Sequence, residues 1–81
     1  MPTVTLFGRP GCHLCEEARK DLEALRAVRP FALEEVNIET DDALHARLLE
    51  RIPVIAVEGD EVGEIVVDRD AVLTALARVV P

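Results

Sequence analysis

Apolar and polar residues recur with two different periods along this chain, and the changes of period mark out its elements. "TVTLF" (3–7) alternates with period two and is rich in β-branched residues, which predicts a strand. Pro10 and Gly11 interrupt it. From Cys12 to about Val28 the apolar positions are Leu14, Ala18, Leu22, Leu25 and Val28. Spacings of three and four predict a helix with that face inward and Glu16, Arg19, Lys20 and Glu23 outward. Pro30 ends it. "FALEEVNI" (31–38) predicts a second strand, and a helical crossover between the two strands predicts a parallel return.

Thr40, followed by Asp41 and Asp42, predicts an N-cap and first-turn acids for a short helix to about Glu50, with Leu44 and Leu48 buried. "PVIAV" (53–57) and "EVGEIVV" (61–67) predict two strands joined by a tight turn at Gly59–Asp60. Asp68 then caps a last helix with Ala71, Val72, Ala75, Leu76 and Val79 inward. The predicted order is β-α-β-α-β-β-α. No linker, low-complexity run or internal repeat divides the chain, so residues 1–81 are expected to form a single domain.

Composition narrows the possible functions. Hydrophobic residues make up 49% of the sequence, adequate material for the core of a small domain. Phe7 and Phe31 are the only aromatics, so no platform exists on which single-stranded nucleic acid could stack. Nine basic residues against sixteen acidic give a net charge of −7, which disfavours phosphate backbones and anionic lipid. Like charge also favours a monomer. The longest apolar stretches are too short to span a bilayer, and no basic leader precedes them. The expected location is therefore the cytoplasm. A structural disulfide across three residues would be unusual there, so the Cys12–Cys15 pair points to catalysis or metal binding.

In "RPGCHLCEE" (9–17) the two cysteines stand three apart at a helix start, on one face and within reach of each other. Free backbone N–H groups and the helix dipole at that end favour an anion at Cys12, and the thiolate is the nucleophile. Cys15, one turn further in, is expected to be more buried and to serve as the resolving thiol. Gly11 allows close approach of backbone or substrate. His13 either stabilises the Cys12 thiolate as an imidazolium or lies exposed beside the motif. Arg9 either adds positive potential or holds a substrate carboxylate, or is an ordinary surface Arg. "RIPVI" (51–55) puts a proline at the start of a strand.

"TVTLFGRPGCHLC", a βαβ unit, "IPV" before a β-hairpin and a last helix together resemble the thioredoxin fold. By size the chain is similar to glutaredoxin-like small bacterial proteins, over essentially all of its length. That resemblance implies an α/β fold with a four-stranded mixed sheet flanked by helices. It implies that Cys12 is the nucleophile, Cys15 the resolving cysteine and Pro53 a cis-proline beside them. It also implies that the Ile52 backbone pairs with a bound peptide or glutathione, and that Arg9 meets glutathione. Departures are visible too: the motif reads Cys-His-Leu-Cys, with no Tyr and no preceding Trp. A single glycine, Gly63, follows the hairpin turn, and the acids Asp68 and Asp70 are displaced by several residues. These bear on glutathione recognition rather than on thiol chemistry.

The function expected is dithiol–disulfide exchange through Cys12 and Cys15. Its partners would be a disulfide-containing protein or small molecule and an external reductant, either glutathione or a thioredoxin-reductase-type enzyme. No bound cofactor is required. Alternatives are a metal-binding or iron–sulfur-carrying glutaredoxin-like protein, or a non-catalytic adaptor. Cys12, Cys15, His13 and His45 are too dispersed for the four ligands of a structural zinc site.

Overall fold

The computed structural model describes residues 1–79. Its elements follow the predicted order: β1 (Thr3–Gly8), α1 (His13–Val28), β2 (Ala32–Asn37), a 3-10 turn (Ile38–Thr40), α2 (Asp42–Leu48), β3 (Val54–Val57), β4 (Asp60–Glu64) and α3 (Arg69–Val79). The four strands form one mixed sheet in the order β2-β1-β3-β4. β1 pairs in parallel with β2 from Thr3↔Ala32 to Gly8↔Asn37, and antiparallel with β3 from Val4↔Val57 to Phe7↔Val54. β1 is thus a central strand, and its C-terminal end delivers the chain to the cysteines.

Two hydrophobic clusters hold the layers together. The larger joins Val4 and Leu6 of β1, Ala18, Leu22 and Leu25 of α1, Phe31, Ile55 and Val57 of β3, and Val72 and Leu76 of α3. The smaller joins Cys15, Ile38, Leu48, Ile52 and Val54, with Phe7, Cys12, Leu44 and Leu49 packed against it. Period-two alternation along β1 explains the division, because successive side chains point to opposite faces.

The structure shifts several boundaries. The inward face of α1 is Cys15, Ala18, Leu22 and Leu25, so Cys15 takes the place expected for Leu14. Leu14 is 42% exposed and Val28 78% exposed. A helix turns 3.6 residues per cycle, and Cys15 lies seven residues before Leu22, nearly two full turns. Leu14 precedes Leu22 by eight, which rotates it toward solvent. In α3, Val72 and Leu76 are buried and Ala71 and Ala75 half-buried, but Val79 is exposed.

The cap of α2 is Asp41 rather than Thr40: its Oδ1 accepts from Ala43 N–H at 2.9 Å and Leu44 N–H at 3.1 Å. Thr40 instead closes the 3-10 turn, its hydroxyl donating to the Asn37 carbonyl at 2.8 Å. The central residues of the β3–β4 turn are Glu58 and Gly59, one position earlier than expected, with φ of 49° and 87°. Two positive φ values match the right-handed twist of a two-residue hairpin. Glu58 is held there by β1, for its N–H donates to the Thr3 carbonyl at 2.9 Å and its Oε2 accepts from Thr3 N–H at 3.1 Å. β4 ends at Glu64, three residues short of expectation, and carries an extra residue, Val62, where the register jumps from Ile55↔Gly63 to Ala56↔Glu61. Asp68 does lie ahead of α3 as expected, accepting from Ala71 N–H at 3.1 Å.

Candidate active site: a cysteine pair at a helix N-terminus

The turn Pro10–Gly11 swings the chain from the end of β1 into α1. Gly11 has φ of 75°, a conformation that L side chains resist, so glycine is required there. Cys12 follows as the N-cap of α1, with extended backbone, and its Sγ accepts from the Cys15 N–H at 3.2 Å. The sulfur therefore occupies the place usually taken by a Ser or Asp oxygen, satisfying one of the free donors of the first turn. Cys12 and Cys15 form a disulfide, with Cα atoms 5.2 Å apart. Cys12 is half-buried, whereas Cys15 is only 7% exposed.

Gly8 makes this packing possible, a role that sequence reading missed. A Cβ added to it would lie 3.0 Å from Cys15 Sγ and 3.1 Å from Cys15 Cβ. The end of β1 and the first turn of α1 thus approach more closely than any side chain would allow. The signal in the sequence was a glycine ending the alternating strand run of residues 3–7, four residues before Cys12.

The remaining predicted residues fall on two flanks. Ile52 and Pro53 lie on one, joined by a cis peptide bond, and both are buried. Ile52 packs in the same cluster as Cys15. The Ile52 N–H donates to the Leu48 carbonyl at 3.1 Å, so that amide is already engaged. The Pro53 carbonyl accepts from Ile65 N–H at 2.7 Å. Ile65 holds φ of 71°, rare for a β-branched residue, and with Val66 it is exposed just past β4. No periodicity or motif in the sequence announced that conformation.

On the opposite flank Arg9 and Gly11 line an open cleft of 310 Å³, together with Gly8, Cys15, Glu16, Arg19, Glu35 and Asn37. Arg19 Nε lies 3.4 Å from Glu35 Oε1 and so ties α1 to β2 across it. His13 belongs to neither flank: its Nε2 lies 3.1 Å from Glu17 Oε1, on a side chain 81% exposed. Among the described residues no group of three or more His, Cys, Asp or Glu is placed to hold a metal ion.

A clamp of ions steadies the Pro53 flank. Glu61 of β4 accepts from Arg47 of α2 at 2.7 Å and from Arg51, which also faces Glu64 Oε1 at 3.4 Å. Arg51 stands two residues before Pro53. Hydrogen bonds from Arg51, then from Arg47, hold the Glu61 carboxyl below its ordinary pKa, and the Glu61 carboxylate in turn raises that of Arg51.

A parallel βαβ unit, a cis-proline opening the hairpin and a Cys-x-x-Cys disulfide at the first helix define a thioredoxin-fold protein. Residues 3–77 match the family model described as "Glutaredoxin-like domain (DUF836)", and the chain belongs to that family. The solution structure of protein Ne2328 from Nitrosomonas europaea is similar at 32% identity and a TM-score of 0.82, covering 90% of this chain and 88% of that one. The X-ray structure of protein XcR50 from X. campestris is also 32% identical, with a TM-score of 0.63 over 96% of this chain and 99% of that one. A mutant of the thioredoxin-like protein BC3987 shares the fold at 20% identity and a TM-score of 0.61, covering 90% of this chain and 97% of that one. A comparison with curated protein sequences finds no match. A glutaredoxin-like thioredoxin fold carrying a Cys-x-x-Cys disulfide supports thiol–disulfide redox activity in general. Among the described residues, no helix is long and apolar enough to cross a membrane.

Proposed function

We propose that the protein is a dithiol–disulfide oxidoreductase in which Cys12 attacks and Cys15 resolves. The observation that carries this reading is the position of Cys12 Sγ at the α1 N-cap, accepting from the Cys15 N–H. In the reduced protein the same donor and the helix N-terminus favour the Cys12 thiolate. That thiolate attacks a substrate disulfide and expels one substrate thiolate. Cys15 then attacks Cys12 Sγ, releasing the second substrate thiol and leaving the Cys12–Cys15 disulfide. The Pro53 flank would receive the substrate, and with the Ile52 N–H engaged by Leu48, pairing to a bound chain falls to the Ile52 carbonyl.

The substrate would be a disulfide-bearing protein or small molecule. An external reductant, either glutathione or a thioredoxin-reductase-type enzyme, would regenerate the dithiol, with no cofactor held by the chain. Such a protein would act as a monomer in the cytoplasm, in electron transport that maintains cell redox homeostasis. Arg9 and Gly11 would contribute through the cleft. His13, paired with Glu17, has its imidazole turned to that carboxylate, so its effect on Cys12 would be indirect.

The test is intact mass after equilibration across a series of reduced-to-oxidised glutathione ratios. The expected result is loss of the two thiol hydrogens with a defined midpoint. Thiols that stayed reduced at every ratio would overturn the proposal.

A further inference from the structure

Ile52 supplies the backbone that the proposed exchange needs, and the chain is fastened immediately before and immediately after it. Ahead of it, the Arg51 N–H donates to the Leu48 carbonyl at 2.8 Å. The Arg51 guanidinium reaches across to β4, where it pairs with Glu61 and faces Glu64 Oε1 at 3.4 Å. Behind it, the Pro53 carbonyl accepts at 2.7 Å from the N–H of Ile65, the residue after Glu64. Glu64 and Ile65 thus hold Arg51 and Pro53, with Ile52 between them. Arg47 of α2 also donates to Glu61 at 2.7 Å, so the carboxylate that holds Arg51 is itself anchored from a second element.

The Ile52 N–H is engaged by Leu48, whereas its carbonyl accepts no backbone hydrogen bond among the described residues. Such a carbonyl pairs well with a peptide N–H only if its direction is fixed, because a hydrogen bond weakens steeply when bent. Three ties set that direction relative to the sulfurs. The Ile52 side chain packs in one cluster with Cys15, the Pro53 carbonyl is bonded to Ile65, and Arg51 is clamped to β4. Only the last is made by charged side chains outside the core, where it can be removed without opening a cavity.

We infer that Arg51, held by Glu61, is a positioning residue that fixes the Ile52 carbonyl for pairing with a peptide, and so favours disulfides carried on a peptide chain over those of small molecules. The inference rests on the couple being redox-active and on the Pro53 flank receiving substrate, as proposed above. Arg51 takes no part in the sulfur chemistry. Its effect is on how a peptide lies while Cys12 attacks, where a small displacement costs rate. A disulfide without a peptide backbone makes no bond to Ile52 and gains nothing from the clamp. An isolated surface ion pair would contribute too little for this, but two arginines on one carboxylate form a network.

The test gives the reduced protein two uncharged substrates. One is an end-blocked neutral peptide disulfide with residues on both sides of its cysteine; the other is 2-hydroxyethyl disulfide, which has no backbone. Second-order rates are read by acid quench, alkylation of free thiols and intact mass. Arg51→Gln and Glu61→Ala should each lower the ratio of the peptide rate to the small-disulfide rate about fivefold. Because a ratio is read, any change in Cys12 reactivity or in the folded fraction cancels. An unchanged ratio in both variants would overturn the positioning role. A fall in one variant alone would show that side chain meeting the peptide directly, and would overturn it too. Wild-type protein that exchanged with neither substrate would overturn the redox couple itself, and the positioning role with it.

Discussion

Two residues at the site act by what they lack or by what they place at a helix end. Gly8 lacks a side chain where Cys15 needs the room. Gly8→Ala puts a methyl 3.0 Å from Cys15 Sγ, and neither the central strand nor the buried Cys15 side chain can move freely away. We expect a loss of about 1–3 kcal/mol of stability, as for other overpacked sites, read as a lower urea midpoint by circular dichroism. An unchanged midpoint would show that the contact relaxes. Cys15→Ser tests the division of labour between the thiols. With no resolving sulfur, the mixed disulfide on Cys12 should accumulate and be visible by non-reducing mass analysis, whereas Cys12→Ser should abolish exchange. Cys12, Cys15 and Pro53 are legible in the sequence because spacing and order carry them. Gly8 and Ile65 are not, since one depends on a tertiary approach and the other on a backbone angle. The sequence leaves His13 open, and the i,i+4 carboxylate of Glu17 claims it.

At the scale of elements, the periodicities place every strand and helix in order but misplace their edges. Edges are set by single side chains meeting backbone donors, and a period does not report those. Asp41 shows the point: both it and Thr40 are good caps by type, and only the intervening 3-10 turn decides between them. Asp41→Ala should cost about 0.5–2 kcal/mol, because Ala43 and Leu44 lose their acceptor, whereas Thr40→Ala should cost less. Urea unfolding of the two variants separates them. The inward face of α1 teaches a similar lesson. By residue type Leu14 reads as core, but the helix exposes it and turns Cys15 inward in its place.

At the scale of the whole molecule, distant elements are fastened by the buried clusters and by the Arg47–Glu61–Arg51 clamp between α2 and β4. The folded state holds the Glu61 carboxyl below its ordinary pKa, so its contribution is present above the unfolded value, about 4.3, and fades as pH falls through the lower folded value. Glu61→Gln should therefore lower the thermal midpoint at pH 7, and the gap from wild type should narrow below about pH 4. A gap that stayed constant with pH would exclude the ionised carboxylate as its source. The pair is largely open to water, so the effect should also shrink in high salt. In the larger cluster, Leu22 is fully buried, and Leu22→Ala should cost about 2–5 kcal/mol by leaving a cavity, measured by the same urea unfolding.

The separation of the two clusters has an evolutionary consequence. Cys15 packs with Ile38, Leu48, Ile52 and Val54, whereas α3, most of α1 and Phe31 anchor the other cluster. Substitutions that repack either cluster alter stability, but only those in the smaller one press directly on Cys15. A lineage moving to a hotter or colder habitat can thus retune endurance through residues such as Leu25, Val72 and Leu76 while its chemistry drifts little.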